Sequence, residues 1–410
     1  MPTFYAVAAG ALIAVALRHV SDQSGAVPPP VPASRSLVLF TVVSVLVTLV
    51  APLLFDGLPV LTPAGPESTL VAGVITKSNI AQIVYLVLGV GVIAYLARSE
   101  GTRPEIIGTA VCLATLLSLW AWSHTASGIP FPVGLFDNSP TFVYQGLLPG
   151  GKPRVRGIFS EPAGLAASCL VTIAYCASRM QQVQGLRRLG LLTLGGAALF
   201  LGSISTSTTF LVAGMVLSVL AVVAGIASFV LRRGSMTTGA TVILCGALIA
   251  SVWLLPYIAN TVGQQVEAKL GTSSYADRST ADSISYGLVI DTLGLGTGLG
   301  SNRASSFAAS LLSTVGVVGT ALFVTVVIVL VRRAWTVPRV RPVIWALAAA
   351  LIAKVVSGPD LSDSTGILWL SLGVLAHAIL TDESETRNRA IIRTRNTAAA
   401  EDARASPAND

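Results

Sequence analysis

Apolar residues fall along this chain in long runs, centred on 3 to 18, 36 to 55, 79 to 97, 105 to 122, 162 to 178, 188 to 202, 208 to 231, 238 to 256, 305 to 331, 343 to 356 and 366 to 380. Each approaches the roughly 20 residues that a helix needs to cross the hydrocarbon core of a bilayer. The pattern predicts an all-α polytopic membrane protein of about 11 transmembrane helices. The first, the sixth and the last two runs are short, so the expected number is good to one or two.

Between these runs the arginines alternate. Arg18 and Arg35, Arg98 and Arg103, Arg179, Arg187 and Arg188, Arg232 and Arg233, and then Arg332, Arg333, Arg339 and Arg341 all occupy every second connection. Cytoplasmic connections carry the excess of Lys and Arg. The bias therefore places these connections and the C-terminus in the cytoplasm, with the N-terminus outside. The other set faces outward and includes the two longest loops, 123 to 161 and 257 to 304. The first run lacks a basic leader and a small-residue cleavage site, so it reads as a retained span.

Composition agrees with this picture: 53% of the residues are hydrophobic and only 11% charged, and the mean hydropathy is +0.76. The net charge of +7 and the pI near 9.5 are largely explained by orientation bias, so no nucleic-acid partner is expected. Cys112, Cys169, Cys176 and Cys245 each lie inside an apolar run, too dispersed for a metal motif, and read as packing residues. No metal and no cofactor are expected.

Pro28 to Pro32 should form an extended, helix-breaking link in the first inner connection. No period of 20 to 50 residues repeats, which argues against a solenoid or duplicated transporter halves. The chain divides into one integral membrane domain, 1 to 380, and a polar tail, 381 to 410, whose mixed charge predicts disorder. The loop 257 to 304 opens with an amphipathic stretch, Val262 to Leu270, suited to the membrane surface.

In a chain this poor in charge, ionisable groups at helix mouths are candidates for chemistry. The segment Arg154-Val-Arg-Gly-Ile-Phe-Ser-Glu-Pro162 is the foremost. Lys152, Arg154 and Arg156 put three cations beside the membrane, and guanidinium groups suit the oxygens of a phosphate. Glu161-Pro162 has the form of a helix start, with Pro in the first turn and an acid at the positive dipole end. On the plainer alternative, Glu161 caps its helix and the cations merely flank a span.

Tyr275, Asp277, Arg278 and Asp282 lead to the glycine series Gly294 to Gly300 and then to Ser301, Asn302 and Arg303. The glycines would let backbone N–H groups approach an anion, with Arg303 adding a fixed charge; alternatively they permit a tight re-entrant turn. A dinucleotide fingerprint is excluded, because it needs a strand and a βαβ unit around it.

Ser203 to Thr209, including Ser207 and Thr208, is a hydroxyl-rich outer link, for which capping is the plain reading. His124 closes its span as a proton carrier or an interfacial residue. Lys354 precedes Asp360 and Asp363 in a short outer turn, where an ion pair would neutralise the lysine, with Asp360 a weaker candidate for substrate contact.

Three of these motifs together resemble the O-antigen and capsular polysaccharide polymerases, whose superfamily also contains the O-antigen ligases. They are Arg156-Gly-Ile-Phe-Ser-Glu-Pro162, Ser205-Thr-Ser-Thr-Thr209, and Gly298-Leu-Gly-Ser-Asn-Arg303 leading into Ser305-Ser306 and Gly316-Val-Val-Gly319. The resemblance spans roughly residues 36 to 380. It implies a metal-independent glycosyltransferase of GT-C-type architecture on the outer face of the cytoplasmic membrane, joining repeat units carried on polyprenyl pyrophosphate.

On that resemblance Arg156, Arg278 and Arg303 would stabilise the pyrophosphate leaving group, and Glu161 would receive the acceptor proton or anchor the acceptor. Arg154, Lys152, Tyr275, Ser301, Asn302, Ser207, Thr208, His124 and Asp360 would bind substrate. Polyprenyl-pyrophosphate-linked glycans and membrane lipid are the implied partners, with a flippase and a chain-length regulator beside them. The loop 257 to 304 contains no histidine, unlike the ligases, and this favours a polymerase. Transfer of finished glycan by a ligase-like enzyme, and a transporter of polysaccharide or lipid-linked glycan, are the rival expectations. A transporter would place ionisable groups near the bilayer midplane, whereas here they gather at the rim. A scaffold with the long outer loops as docking surfaces is a third.

Overall fold

The computed structural model describes residues 3–21, 30–62, 67–136, 155–231, 273–358, 360–363 and 365–405. In chain order the elements are α1 (Thr3–Ser21), α2 (Ser34–Leu54), β1 (Pro59–Leu61), β2 (Glu67–Thr69), α3 (Lys77–Arg98), α4 (Glu105–Ser127), the short α5 (Val133–Phe136), α6 (Pro162–Arg179), α7 (Leu186–Ile204) and α8 (Thr208–Leu231). There follow α9 (Ser273–Asp291), α10 (Phe307–Ala334), a 3₁₀ turn (Pro338–Val340), α11 (Arg341–Val356) and α12 (Ile367–Ala405).

Ten of the eleven apolar runs are helices, and the run at 238 to 256 lies outside the described residues. Among the described residues seven helices, α2, α3, α4, α7, α8, α10 and α12, are long and apolar enough to cross a membrane. The described residues are those of a multi-pass membrane protein, helical but for the short hairpin of β1 and β2.

Helix α11 occupies the middle of the bundle, between α6, α8 and α12, and most of its residues from Pro342 to Ala353 are buried. Four of the buried residues are alanines, Ala346, Ala349, Ala350 and Ala353, small enough for neighbouring backbones to approach closely where apolar burial alone gives helices in lipid little reason to associate. Beside it, Trp369 of α12 is fully buried against α3, where a Cβ on Gly89 would fall 2.6 Å from the indole. Helix α1 closes the same side through Tyr5, whose ring stacks on Tyr85 at 4.0 Å and whose hydroxyl donates to Ser362 O. The outer faces of α2 and α8 carry exposed Val, Leu and Ile, as lipid contact requires.

Polar contacts sort the helix ends onto two sides. At one, Arg179 meets Glu105 at 2.9 Å, Gln182 Nε2 donates to Pro338 O at 2.7 Å, and Arg333 pairs with Glu383. At the other, Arg278 of α9 meets Glu161 before α6 and Ser357 after α11, while Asp282 meets the start of α10.

Between these ends the chain does something that apolar runs do not announce. Helix α10 is broken at Gly316, with φ 71° and ψ −176°, ten residues past Ser306 and so about 15 Å along a helix rising about 1.5 Å per residue. The glycine segment after α9 docks into this break. Val317 N donates to Gly294 O at 2.8 Å, while Thr297 N and Gly298 N donate to Ser313 O and Thr314 O at 2.8 and 2.9 Å. Irregular backbone at membrane depth is tolerated only where protein satisfies it, and here the loop and the broken helix satisfy each other.

Two expectations are corrected at this point. The glycine amides do not face an anion: those of Gly294, Leu295, Gly296, Thr297, Gly298 and Leu299 all donate to partners within the chain, the last to Thr48 Oγ1 at 2.9 Å. The re-entrant alternative is the observed one. The tail from Thr381 is not irregular either, since α12 continues as helix to Ala405. Its alanines, glutamates and arginines are strong helix formers, and propensity here outweighs the charge that suggested disorder.

Gly296 lies at φ +91°, where a Cβ would fall 2.6 Å from Gly316 N and 2.7 Å from Thr314 O, both backbone atoms unable to retreat. Gly296→Ala should therefore destabilise the protein by about 2 to 3 kcal/mol. Gly190→Ala in α7, where a Cβ meets nothing within 4 Å, should be neutral or slightly stabilising. Thermal unfolding of the purified variants in detergent would separate the two.

Candidate functional site

The charged groups of the second end come from four helix termini. Helix α6 starts at Pro162, and its N-cap Glu161 has extended backbone geometry, φ −137° and ψ 154°. Its carboxylate makes no capping hydrogen bond. Instead Glu161 Oε2 lies 3.8 Å from Arg278 Nη2, so the side chain pairs with another helix and does not cap its own. Both groups are substantially exposed, 36% and 48%, and such a pair contributes only about 0 to 1 kcal/mol to stability. Stability is a poor reason for this placement of charge.

Arg156 stands in the turn that leads into Glu161, closed by Phe159 N donating to Arg156 O at 3.1 Å. The turn rests on α4: a Cβ on Gly157, at φ +59°, would fall 2.6 Å from Ser118 Oγ. Arg156 is half-buried there.

Arg278 reaches across to α11, donating from Nη1 to Ser357 Oγ at 3.3 Å. One helical turn further along α9, Asp282 Oδ1 accepts from Ser305 N at 2.7 Å and Ser306 N at 3.0 Å, tying α9 to the first turn of α10. Ser306 itself caps α10, accepting from Ala309 N. Arg303, exposed, lies two residues before Ser305, its backbone fixed by Arg303 N donating to Leu61 O at 2.8 Å. Thus Arg156, Glu161, Arg278 and Arg303 occupy one rim, with Glu161 and Arg278 in direct contact.

The other expected residues fall differently. Ser301 and Asn302 are buried, 8% and 6% exposed, and their polar atoms are engaged internally. Asn79 Nδ2 donates to Ser301 Oγ, while Asn302 donates to Ser285 and Ser313 hydroxyls and accepts from Leu61 N. They hold the loop in place, and the expectation that they bind substrate is corrected accordingly. Ser207 is buried and Thr208 half-buried in the turn between α7 and α8, where Phe210 N donates to Ser207 O. His124 donates from Nδ1 to Ile129 O at 2.7 Å, closing the end of α4. Asp360 is exposed and gives its carbonyl to Lys354 Nζ at 2.9 Å. The lysine is neutralised by Asp363, at 3.3 Å.

Tyr275 lies in the first turn of α9, and Lys152 and Arg154 lie outside the described residues. Among the described residues no three His, Cys, Asp or Glu side chains converge to hold a metal ion.

Sequence reasoning missed Ser357, Asn79 and the hairpin of β1 and β2. Ser357 is marked only as a helix stop, by the Gly358-Pro359 that follows, and nothing in that signal names Arg278 as its partner. Asn79 sits 222 residues from Ser301, and its side chain instead carries a local signature as part of the capping box of α3. The hairpin pairs Val60 with Ser68 over three residues a strand, too short for alternation to register.

Comparison of the chain with protein-family models, with curated proteins and with solved structures finds no match.

The buried Asn302 and the exposed Arg278 should respond differently to truncation. Asn302→Ala removes three hydrogen bonds among buried groups and should lower the free energy of unfolding by about 2 kcal/mol. Arg278→Ala removes an exposed pair and an exposed hydrogen bond to Ser357 and should leave the unfolding midpoint close to that of the parent. Chemical denaturation in detergent, followed by intrinsic tryptophan fluorescence, would measure both.

Proposed function

We propose that this chain is a membrane glycosyltransferase that polymerises oligosaccharide repeat units carried on polyprenyl pyrophosphate, at the outer face of the cytoplasmic membrane. In this reading the N-terminus is outside, the C-terminus cytoplasmic, the membrane is crossed about eleven times and the architecture is of the GT-C type. The observation that carries it is the Glu161–Arg278 contact: a carboxylate without a capping role and a guanidinium 3.8 Å apart, both open to solvent, on the rim that also bears Arg156 and Arg303.

A polyprenyl pyrophosphate presents its charge at the membrane surface and its reacting sugar just outside. Transfer breaks the bond between the anomeric carbon and the pyrophosphate oxygen, and negative charge grows on that oxygen. Fixed guanidinium groups stabilise such charge most in the transition state, when it is greatest. The acceptor hydroxyl attacks from the opposite face of the sugar and must lose its proton, and Glu161 is the carboxylate placed to receive it. Arg278 lies beside Glu161 in the resting state, 3.8 Å away. The same guanidinium is then available to the leaving group as the substrate displaces their exposed contact.

The test is incubation of the purified protein with a polyprenyl-pyrophosphate-linked repeat unit and analysis of products by gel ladder. The expected outcome is a ladder with the parent protein and a loss of about a hundredfold in rate for Arg278→Ala, Arg156→Ala and Arg303→Ala, equivalent to about 3 kcal/mol each. Glu161→Gln should lose a similar factor with the proteins remaining folded. Absence of a ladder with every lipid-linked glycan tried would overturn the polymerase reading, and single-step transfer to a lipid or wall acceptor would mark a ligase.

A further inference from the structure

Arg278 is held by one exposed carboxylate at 3.8 Å and by the Ser357 hydroxyl at 3.3 Å. The first contact is long and open to water, so the direction of the guanidinium depends on where Ser357 stands. Ser357 is the residue at which α11 ends. Its amide still donates to Ala353 O, but its own backbone is extended, φ −167° and ψ 97°. What fixes the chain after that point decides the position of the hydroxyl.

The fixing group is Lys354. It lies one turn before Ser357 on the same face of α11, with 13% of its side chain exposed. Its ammonium spans the turn that follows, donating to Asp360 O at 2.9 Å and pairing with Asp363 Oδ1 at 3.3 Å. It also lies 5.6 Å from the ring centre of Phe307, the first residue of α10. Asp363, only 3% exposed, is itself committed at both oxygens: Oδ1 accepts from Thr365 Oγ1 and Oδ2 from Leu368 N in the first turn of α12. Tyr5 of α1 donates to Ser362 O from the other side. The first charged residue of the turn therefore closes on its last, and the closed turn is fastened to α1, α10 and α12.

A lysine so placed is poorly suited to contact substrate, since its ammonium is occupied and largely covered. Removing it, however, would free the segment that carries Ser357. We propose that Lys354, through its pair with Asp363, is a positioning residue that holds Ser357, and thereby Arg278, toward Glu161. The activity consequences rest on the glycosyl-transfer reading, whereas the positional consequence does not.

Spin labels on Ser160→Cys and Ser357→Cys, in full-length protein in nanodiscs with the four native cysteines changed to alanine, measure the position of the turn directly. The expected result is a narrow distance distribution that broadens with Lys354→Met and is restored by Lys354→Arg. An unchanged distribution with Lys354→Met would overturn the proposal. Should Lys354→Met fail to fold, Lys354→Gln, which removes the charge and keeps a donor, takes its place under the same criterion. In the ladder assay Ser357→Ala should lower kcat about tenfold with KM unchanged, as loss of one hydrogen bond felt in the transition state would. It should add nothing further to Arg278→Ala. Independent, additive losses would overturn the coupling, and a protein without transferase activity would leave the spin-label result to decide the positional claim alone.

Discussion

An exchange of backbone hydrogen bonds at Gly316 underlies the placement of α9, and with it Arg278 and Arg303, at the charged rim. In an unbroken α10, Val317 N would donate to Ser313 O. Here Val317 N turns to Gly294 O, and Ser313 O accepts from Thr297 N in its place. No donor is lost, which is the condition for irregular backbone at membrane depth. The exchange fixes the end of α9 against the middle of α10, and from that anchor the chain climbs through Leu299, Ser301 and Asn302 to Arg303. Each step is tied down in turn, to Thr48 of α2, Asn79 of α3 and Leu61 of β1. The glycines are required where backbones touch: a Cβ at Gly298 would fall 2.8 Å from Thr48 Cα.

Above this buried scaffold the side chains of Glu161 and Arg278 are lightly held. The contrast follows from solvent. A buried amide left without a partner forfeits its full hydration, about 1 to 3 kcal/mol, so the loop is saturated with internal bonds. An exposed guanidinium forfeits little, so Arg278 and Arg303 remain at a surface open to water. Lys354 and Asp363 are intermediate, charged groups drawn out of water that are tolerated because each has several partners.

The helices were legible because their signal is local and large: about 20 apolar residues in succession have few alternatives to a spanning helix. Much of the rim was legible for the opposite reason, since Arg156, Glu161, Arg278 and Arg303 stand out against a chain that avoids charge. The glycine series was recognisable as special but ambiguous. Positive φ and close approach serve an anion nest and a re-entrant turn equally well, and only the partner, a break at Gly316 some 20 residues later, distinguishes them. The tail from Thr381 misled, because charge density and helix propensity pointed in different directions.

The sequence by itself determined that this is a multi-pass helical protein, where its described apolar helices begin and, α12 apart, end to within a few residues, and which few charges are set apart at their mouths. These follow from the hydrophobicity and dipoles of neighbouring residues, quantities that need no knowledge of the rest of the chain. Tertiary structure alone decided that Glu161 faces Arg278 across 117 positions, that Ser301 and Asn302 turn inward, and that Ser357 and Lys354 belong to the same rim. Those outcomes depend on which helices pack together, and side-chain pairing between segments far apart in sequence leaves no local trace until the packing of small residues around α11 has brought the helix ends to one side.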